Sequence, residues 1–341
     1  MASNEICNKN SKNKKKKRIA AVCCAGMLLS CLYTGCGKGD PLHVTQMMTK
    51  PVLKVDGESY SLSEAKVYLV NYQNLYGTVA GVDLWQREDQ VDMLEEYIKN
   101  LTIAQMTKIL SMDSLAKSRN IALEEEELAS VAKAAKAYYE SLNEEELAYL
   151  EVGETEIRKL YEDYALAQKL YKSLTVGVNS EVSDDEARIM DAMQIVVSDA
   201  KKAREIKKAL KSGGDFSTLA GSYNEAEEIK IQFGRGELPQ EVEKAAFALD
   251  NGTASGSIKT DDGFYFIYCV NKFNEELTDA NKIKIVQKRE KEAFGDVYDA
   301  YSRTIAKKMY QDTWNSLQAN RLDQVKTDSF FAVYQEYCSE L

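Results

Sequence analysis

The sequence predicts an α+β protein: a mostly helical body built from an N-terminal and a C-terminal segment, with a small α+β domain inserted between them. Three observations carry that prediction. From Gln86 to Leu174 the apolar residues follow helical periodicity almost without interruption. Near Ser183 the texture changes to short apolar strands alternating with short helices. Beyond Glu276 helical spacing returns, and so long a helix needs a partner for its apolar face; the first helical segment is the simplest one. The 341 residues leave room for about two domains of ~150 residues each. The expected boundaries are a signal segment at 1–36, a tether at 37–50, the helical N-terminal part at 51–185, the inserted domain at 186–275 and the helical C-terminal part at 276–341.

The formal charge of −10 is unevenly spread. Residues 1–36 carry seven basic side chains (Lys9, Lys12, Lys14, Lys15, Lys16, Lys17 and Arg18) against Glu5, a balance of +6 that leaves −16 for the remainder. So acidic a body lacks the clustered Lys and Arg that phosphate neutralisation needs, which excludes nucleic acid as a partner. The basic stretch KNKKKKR precedes an apolar run, Ile19 to Gly35, of 17 residues. That is short for a membrane-spanning helix and typical of an export signal. The run ends in TGCG and resembles the cleavage box of bacterial lipoproteins, in which the cysteine, here Cys36, is lipidated and becomes the mature N-terminus. Tyr33 departs from the Leu preferred three positions earlier; LLSC, ending at Cys31, is a second candidate, and an uncleaved anchor is a third reading. Each reading puts the body outside the membrane, and lipidation places it on the extracytoplasmic face of the cell membrane.

Five of the seven cysteines lie in the signal segment, leaving Cys269 and Cys338. One disulfide is available to the body, but Cys269 falls in a strand-like run and reads as a core thiol. The single histidine, His43, lies in the tether, so histidine-dependent metal sites and His-based triads are excluded from the body. No metal and no cofactor is expected.

The individual elements follow from local signals. PVLKVDGESYSL reads as two short strands around Asp56-Gly57. Ser61 and Glu64 have the spacing of a capping box, opening a helix to about Tyr76. On that helix Tyr68, Tyr72 and Tyr76 share a face, either as a core stripe or as a surface for unfolded chains. Val91, Leu94, Ile98 and Leu101 mark one further helix; Leu128, Val131, Ala135, Tyr138 and Leu142 a second; Ile157, Leu160, Tyr164, Ala167, Tyr171 and Leu174 a third. The acidic run at 124–127 suits a helix start, where the macrodipole favours negative charge. Ser183 with Glu186 repeats the capping-box spacing before the strand DAMQIVV. Two helices follow, then a loop, a short helix, a turn at Asn251-Gly252 and the strand pair SGSIKT and GFYFIYCV. In the last segment Ile283, Val286, Ala293, Val297, Tyr301 and Ile305 keep helical spacing, followed by Trp314 and the aromatic tail SFFAVYQEY.

Four motifs in the inserted segment occur in a telling order: GGDFSTLAGSY at 213–223, FGRG at 233–236, EKAAFAL at 243–249, and SGSIKTDDGFYFI at 255–267. Together they resemble a parvulin-type peptidyl-prolyl isomerase domain. The whole layout resembles the extracytoplasmic foldases of Gram-positive bacteria, the PrsA type, and their SurA-like relatives, in which helical chaperone-like parts flank the parvulin domain. The helical flanks match in style and placement alone. The resemblance implies a shallow apolar groove for a proline ring, lined by Phe233, Leu238, Val242 and Phe247. Leu238 stands where the family usually has Met and Val242 where it usually has Phe. The family's two histidine positions correspond to Gln194 and Tyr265; its Cys or Asp position falls near Ala226, ahead of a shortened loop, and Asp262 replaces a common Ser.

Turning an X-Pro bond breaks no covalent bond; it removes amide resonance behind a barrier of ~20 kcal/mol. Catalysis therefore means gripping the proline and placing polar groups that favour the twisted amide. Losing one or two well-placed hydrogen bonds at ~1–3 kcal/mol each costs roughly tenfold to several hundredfold. Three hypotheses follow. The leading one is a membrane-tethered foldase that holds unfolded or proline-containing secreted polypeptides, its isomerase positions Gln194, Tyr265 and Asp262 largely substituted. The second is a competent isomerase whose helical parts position it, and the third a structural envelope lipoprotein with a dedicated folded partner. A homodimer is compatible with each.

Overall fold

The computed structural model describes residues 50–87, 89–317 and 324–339; the signal segment with Cys31 and Cys36, and the tether with His43, lie outside them. The chain divides into two units. The first holds the described residues up to Val176 and from Phe294 onward, and the second is Gly177–Ala293.

The first unit opens with β1 (Pro51–Val55) and β2 (Glu58–Ser61), paired antiparallel. Asp56 and Gly57 between them both take positive φ, 47° and 98°, the combination that suits the right-handed twist of a tight hairpin. Helix α1 (Leu62–Tyr76) begins with the complete capping box: the Ser61 amide donates to Glu64 Oε2 at 2.6 Å and the Glu64 amide to Ser61 Oγ at 3.3 Å. A small hairpin follows, β3 (Thr78–Val79) with β4 (Val82–Asp83). Then come α2 (Val91–Ser118), α3 (Glu125–Ser141), α4 (Glu144–Leu150) and α5 (Glu154–Thr175). The acidic run begins α3 as expected, with the Glu124 amide donating to Glu127 Oε2 at 2.7 Å.

The second unit runs α6 (Asp184–Ala187), β5 (Met190–Val197), α7 (Ala200–Lys211), α8 (Phe216–Tyr223), β6 (Lys230–Phe233), α9 (Gln240–Phe247), β7 (Ile258–Thr260) and β8 (Gly263–Asn271). Helix α10 (Glu275–Ser302) follows, its residues up to Ala293 belonging here. The four strands form one antiparallel sheet in the order β6-β5-β8-β7. Strand alternation sends Met190, Ala192, Ile267 and Cys269 to one face, under Phe233 and the α9 residues Val242 and Ala246. Ile195, Val197 and Phe266 go to the other, under α7 and α8. Strand β6 has no counterpart in the sequence reading: it is a four-residue edge strand in which only Ile231 and Phe233 show the period of two. The Ser183–Glu186 box is only half formed. Ser183 Oγ accepts the Glu186 amide at 3.1 Å, but the Glu186 carboxylate turns to Arg289 at 2.5 Å.

The rest of the chain completes the first unit. The expected helical stripe stops short: α10 ends at Ser302, Ile305 lies in the turn beyond it, and Ile283 is 62% exposed. Strand β9 (Lys307–Met309), also unforeseen, pairs antiparallel with β1. After α11 (Gln311–Asn315), helix α12 (Phe330–Cys338) packs Phe330, Phe331 and Tyr334 into the helical core. Phe330 stacks on Tyr161 at 4.3 Å between ring centres and meets Tyr68 and Tyr138 edge-on, both at 5.3 Å. Its amide donates to Asn71 Oδ1 at 2.9 Å and its carbonyl accepts the Tyr161 hydroxyl at 2.6 Å. Tyr68 and Tyr72 are buried in this cluster, which overturns the reading of their face as a surface for unfolded chains; only Tyr76 keeps partial exposure. Cys269 and Cys338 are both free and buried, one in each unit. Among the described residues no helix is long and apolar enough to cross a membrane.

Candidate functional site

The second unit carries most of the residues singled out from sequence, and β5 with β8 forms their platform. Gln194 on β5 lies opposite Ile267, and Tyr265 on β8 lies opposite Val196, so the two are diagonal neighbours. Both belong to the strand phase of Ala192, Ile267 and Cys269, the face that α9 covers. Tyr265 is half-buried against that core together with Leu238, Ile258 and Phe247.

The polar atoms of this face are unequally committed. Gln194 Nε2 donates to the Glu228 carbonyl at 2.9 Å, while the Gln194 amide donates to the Ile229 carbonyl at 2.8 Å. Its side chain thus fastens the loop that follows α8. Asn224 holds the same loop from its other end, accepting the Val196 amide at 2.9 Å and donating to the carbonyls of Ala226 at 3.0 Å and Glu228 at 3.2 Å. Beside it the Lys202 ammonium, with the amide and hydroxyl of Ser198, holds the Glu225 carboxyl down to about 2. Ala226 brings no chemistry to this loop. The Tyr265 hydroxyl, in contrast, makes no hydrogen bond among the described residues. Asp262 sits at the exposed β7–β8 turn, where its amide donates to Thr260 Oγ1 at 3.2 Å.

The apolar positions also divide. Val242 is 0% exposed and Phe233 2%, so both are packed into the core between the sheet and α9 rather than open lining. Leu238 keeps partial exposure at the start of α9. Phe247 is 5.4 Å from Phe233 between ring centres and lies beneath two guanidinium groups, Arg188 at 4.4 Å and Arg235 at 4.8 Å. Phe247 and the two arginines border a cavity of about 430 Å³, shared with Gln240, Glu243 and Lys244. The structure therefore brings Gln194, Tyr265 and Leu238 to one face, buries Phe233 and Val242 in the core between the sheet and α9, commits Phe247 to the arginines and leaves Asp262 at a turn.

The FGRG stretch gains a local explanation. Gly236 takes φ 80°, which favours glycine, and its amide donates to Glu243 Oε2 at 2.7 Å, fixing the loop to the helix it precedes. Arg235 binds the Asp185 carbonyl at 2.9 Å and its carboxylate at 2.5 Å while covering Phe247. Sequence reading assigned no role to Arg235, Arg188 or Asn224. The arginine between two glycines was the one available signal; its partner Asp185 lies 50 residues away and cannot be read from spacing.

Comparison with known proteins agrees with this geometry. Residues 152–284 match the family described as the PPIC-type PPIase domain. Foldase protein PrsA 3 of Bacillus anthracis is 30% identical over 151 residues, covering 42% of this chain and 48% of that protein. Foldase protein PrsA of Caldanaerobacter subterraneus is 29% identical over 206 residues, covering 54% and 61%. The chain spans about half the length of the curated relatives it matches first. A solved peptidylprolyl isomerase (PrsA) from Bacillus cereus aligns with 22% identity and a TM-score of 0.38, over 69% of this chain and 90% of that one. Residues 152–284 are thus similar to a parvulin-type isomerase domain, and part of the chain is similar to PrsA foldases.

Proposed function

We propose that this PrsA-like chain is an extracytoplasmic foldase: a helical unit that holds non-native secreted polypeptides, and a parvulin-type unit that receives their X-Pro segments. The anchor is a lipid on Cys36, the signal is residues 1–36, and residues 37–50 are the tether to the cell membrane. The observation that carries the reading is the β5–β8 face. It sets a free phenolic hydroxyl and an amide side chain next to a half-exposed Leu238, over an apolar floor. A twisted X-Pro amide gains from a donor that its planar form does not use, and the Tyr265 hydroxyl is such a donor. Gln194 is the weaker candidate, since its side-chain N–H already serves the Glu228 carbonyl.

That commitment of Gln194, with the complete burial of Val242, favours a second reading in which the face binds proline-containing segments without turning them over. A coupled isomerisation assay on residues 37–341, with Tyr265→Phe beside it, separates the two. Acceleration that falls about tenfold in the variant, with peptide affinity little changed, marks an enzyme using the tyrosine. No acceleration, with unfolded clients still protected from aggregation, marks a binding unit. Neither acceleration nor protection rejects the foldase reading.

A further inference from the structure

Away from this face, the helical unit holds a buried carboxyl group and a second, partly exposed one with a buried oxygen. Asp113, in the middle of α2, is 2% exposed, and its Oδ1 has no hydrogen-bond partner. Asp163, on α5, has a buried Oδ2 without one as well. The hydroxyl of Tyr68 on α1 is buried and equally unpartnered, and the buried hydroxyl of Tyr60 on β2 faces Asp163. The charged groups that act on this cluster are few. Glu58 on β2, Glu64 on α1, Asp113 and Asp163 supply four carboxyls; Lys117 on α2 and Lys159 on α5 supply two ammonium groups.

Both lysines are already engaged. Lys117 pairs with Glu58 at 2.7 Å and Lys159 with Glu64 at 2.7 Å. Lys159 also stands 3.7 Å from Asp163 Oδ2, whereas no cation pairs with Asp113 among the described residues. Two cations cannot neutralise four anions, and an ionised carboxylate with neither cation nor donor is costly to bury. The group without a partner is the one that keeps a proton.

We propose that Asp113 stays protonated at neutral pH beside an ionised Asp163, forming a pH-sensitive latch between α2 and α5 that holds the helical unit in acid and loosens it as pH rises. The electrostatics agree. Burial first, and then the neighbouring Asp163, push the Asp113 carboxyl up to about 9. Burial raises Asp163 to about 6, with Lys159 and the Tyr60 hydroxyl offsetting part of the rise. A proton bound in the folded state and released on unfolding lowers stability as pH increases. The window therefore runs from the ordinary carboxylate range, about 4, up to about 9, and one such proton changes the folding constant by up to about tenfold per pH unit. Glu58, lowered by its hydrogen bond to Lys117, acts in the opposite sense and only below that window.

Both tryptophans, Trp85 and Trp314, lie in the helical unit, so their emission reports its unfolding selectively. Urea unfolding of the full chain should show a tryptophan midpoint that falls steadily between about pH 5 and about pH 8.5. In Asp113→Asn the midpoint should stay nearly level above about pH 6.5, where Asp163 is already ionised, leaving only the shallower fall that Asp163 contributes below it. Infrared difference spectra of the folded wild type at neutral pH should show the carbonyl stretch of a protonated carboxylic acid, absent from the variant. If Asp113→Asn does not fold, Asp163→Asn serves instead: without its anionic neighbour Asp113 should titrate at lower pH, moving the fall in the midpoint the same way. A wild-type midpoint that is flat or rising, a slope that survives above about pH 6.5 in Asp113→Asn, a fall unmoved by Asp163→Asn, or no protonated carboxyl in the infrared would each overturn the latch.

Discussion

The Asn71–Tyr138–Thr327 network of the helical unit and the β5–β8 face use polar side chains in opposite ways. In the helical unit Asn71, Tyr138, Tyr161 and Thr327 lie inside an aromatic core and bond one another and the α12 backbone. In the sheet-containing unit the polar side chains of interest lie on a half-covered face, where one fastens a loop and another bonds nothing. Saturated interior polar groups fix a single packing, whereas a donor left free on a preformed surface costs little because water can reach it. Substitutions in the first unit should therefore remove fold, and those on the β5–β8 face should remove function first.

Phe330→Ala is the hardest test of that contrast. The ring is 0% exposed and contacts Tyr68, Tyr138, Tyr161 and Phe331. Its loss should destabilise the helical unit by about 3–5 kcal/mol, seen as an earlier tryptophan transition in urea. A loss below about 1 kcal/mol would break the comparison, since the aromatic core would then not be what holds α12. Val242→Ala probes the other unit at a residue that the family resemblance places in the proline groove. Being wholly buried on the sheet-facing side of α9, it should cost about 2 kcal/mol in calorimetric unfolding. If stability is unchanged while peptide affinity drops, the residue is groove lining and the face is more open than its burial indicates.

Legibility followed the range of the interactions. Local signals were readable: the Asp56-Gly57 hairpin, the Ser61–Glu64 box and the helical stripes of α2, α3 and α5 depend on residues within a few positions of each other. The two missed strands depend on distant partners. β9 is strand only because β1, some 250 residues earlier in the chain, offers its edge, and KKM alone carries no strand signal. β6 likewise needs β5. At the site, Gln194 and Tyr265 were legible as candidate positions through the family resemblance. Their unequal commitment was not, because the Glu228 carbonyl that takes the Gln194 side chain lies across the sheet edge in a loop without a pattern. The Tyr68 and Tyr72 stripe was ambiguous for a related reason: periodicity marks an apolar face without saying what covers it, and the covering ring, Phe331, lies at the far end of the chain.

Arg235 gives the smallest expected effect and the finest discrimination. Its side chain is 38% exposed, so its ion pair with Asp185 is partly screened and worth less than about 1 kcal/mol. Its position over Phe247 adds about 0.5–1 kcal/mol. Arg235→Gln should therefore destabilise the sheet-containing unit by about 1 kcal/mol, measured by calorimetry because that unit holds no tryptophan. Arg235→Lys should recover little of it, since an ammonium cannot both lie flat on the ring and reach the Asp185 carbonyl and carboxylate together. X-Pro turnover, where present, should stay within about twofold of wild type in both variants, because nothing ties the guanidinium to Gln194 or Tyr265. A large loss of turnover at unchanged stability would move the arginine and Phe247 from scaffold to site. The proline-binding surface would then extend from Tyr265 to the arginine-lined cavity.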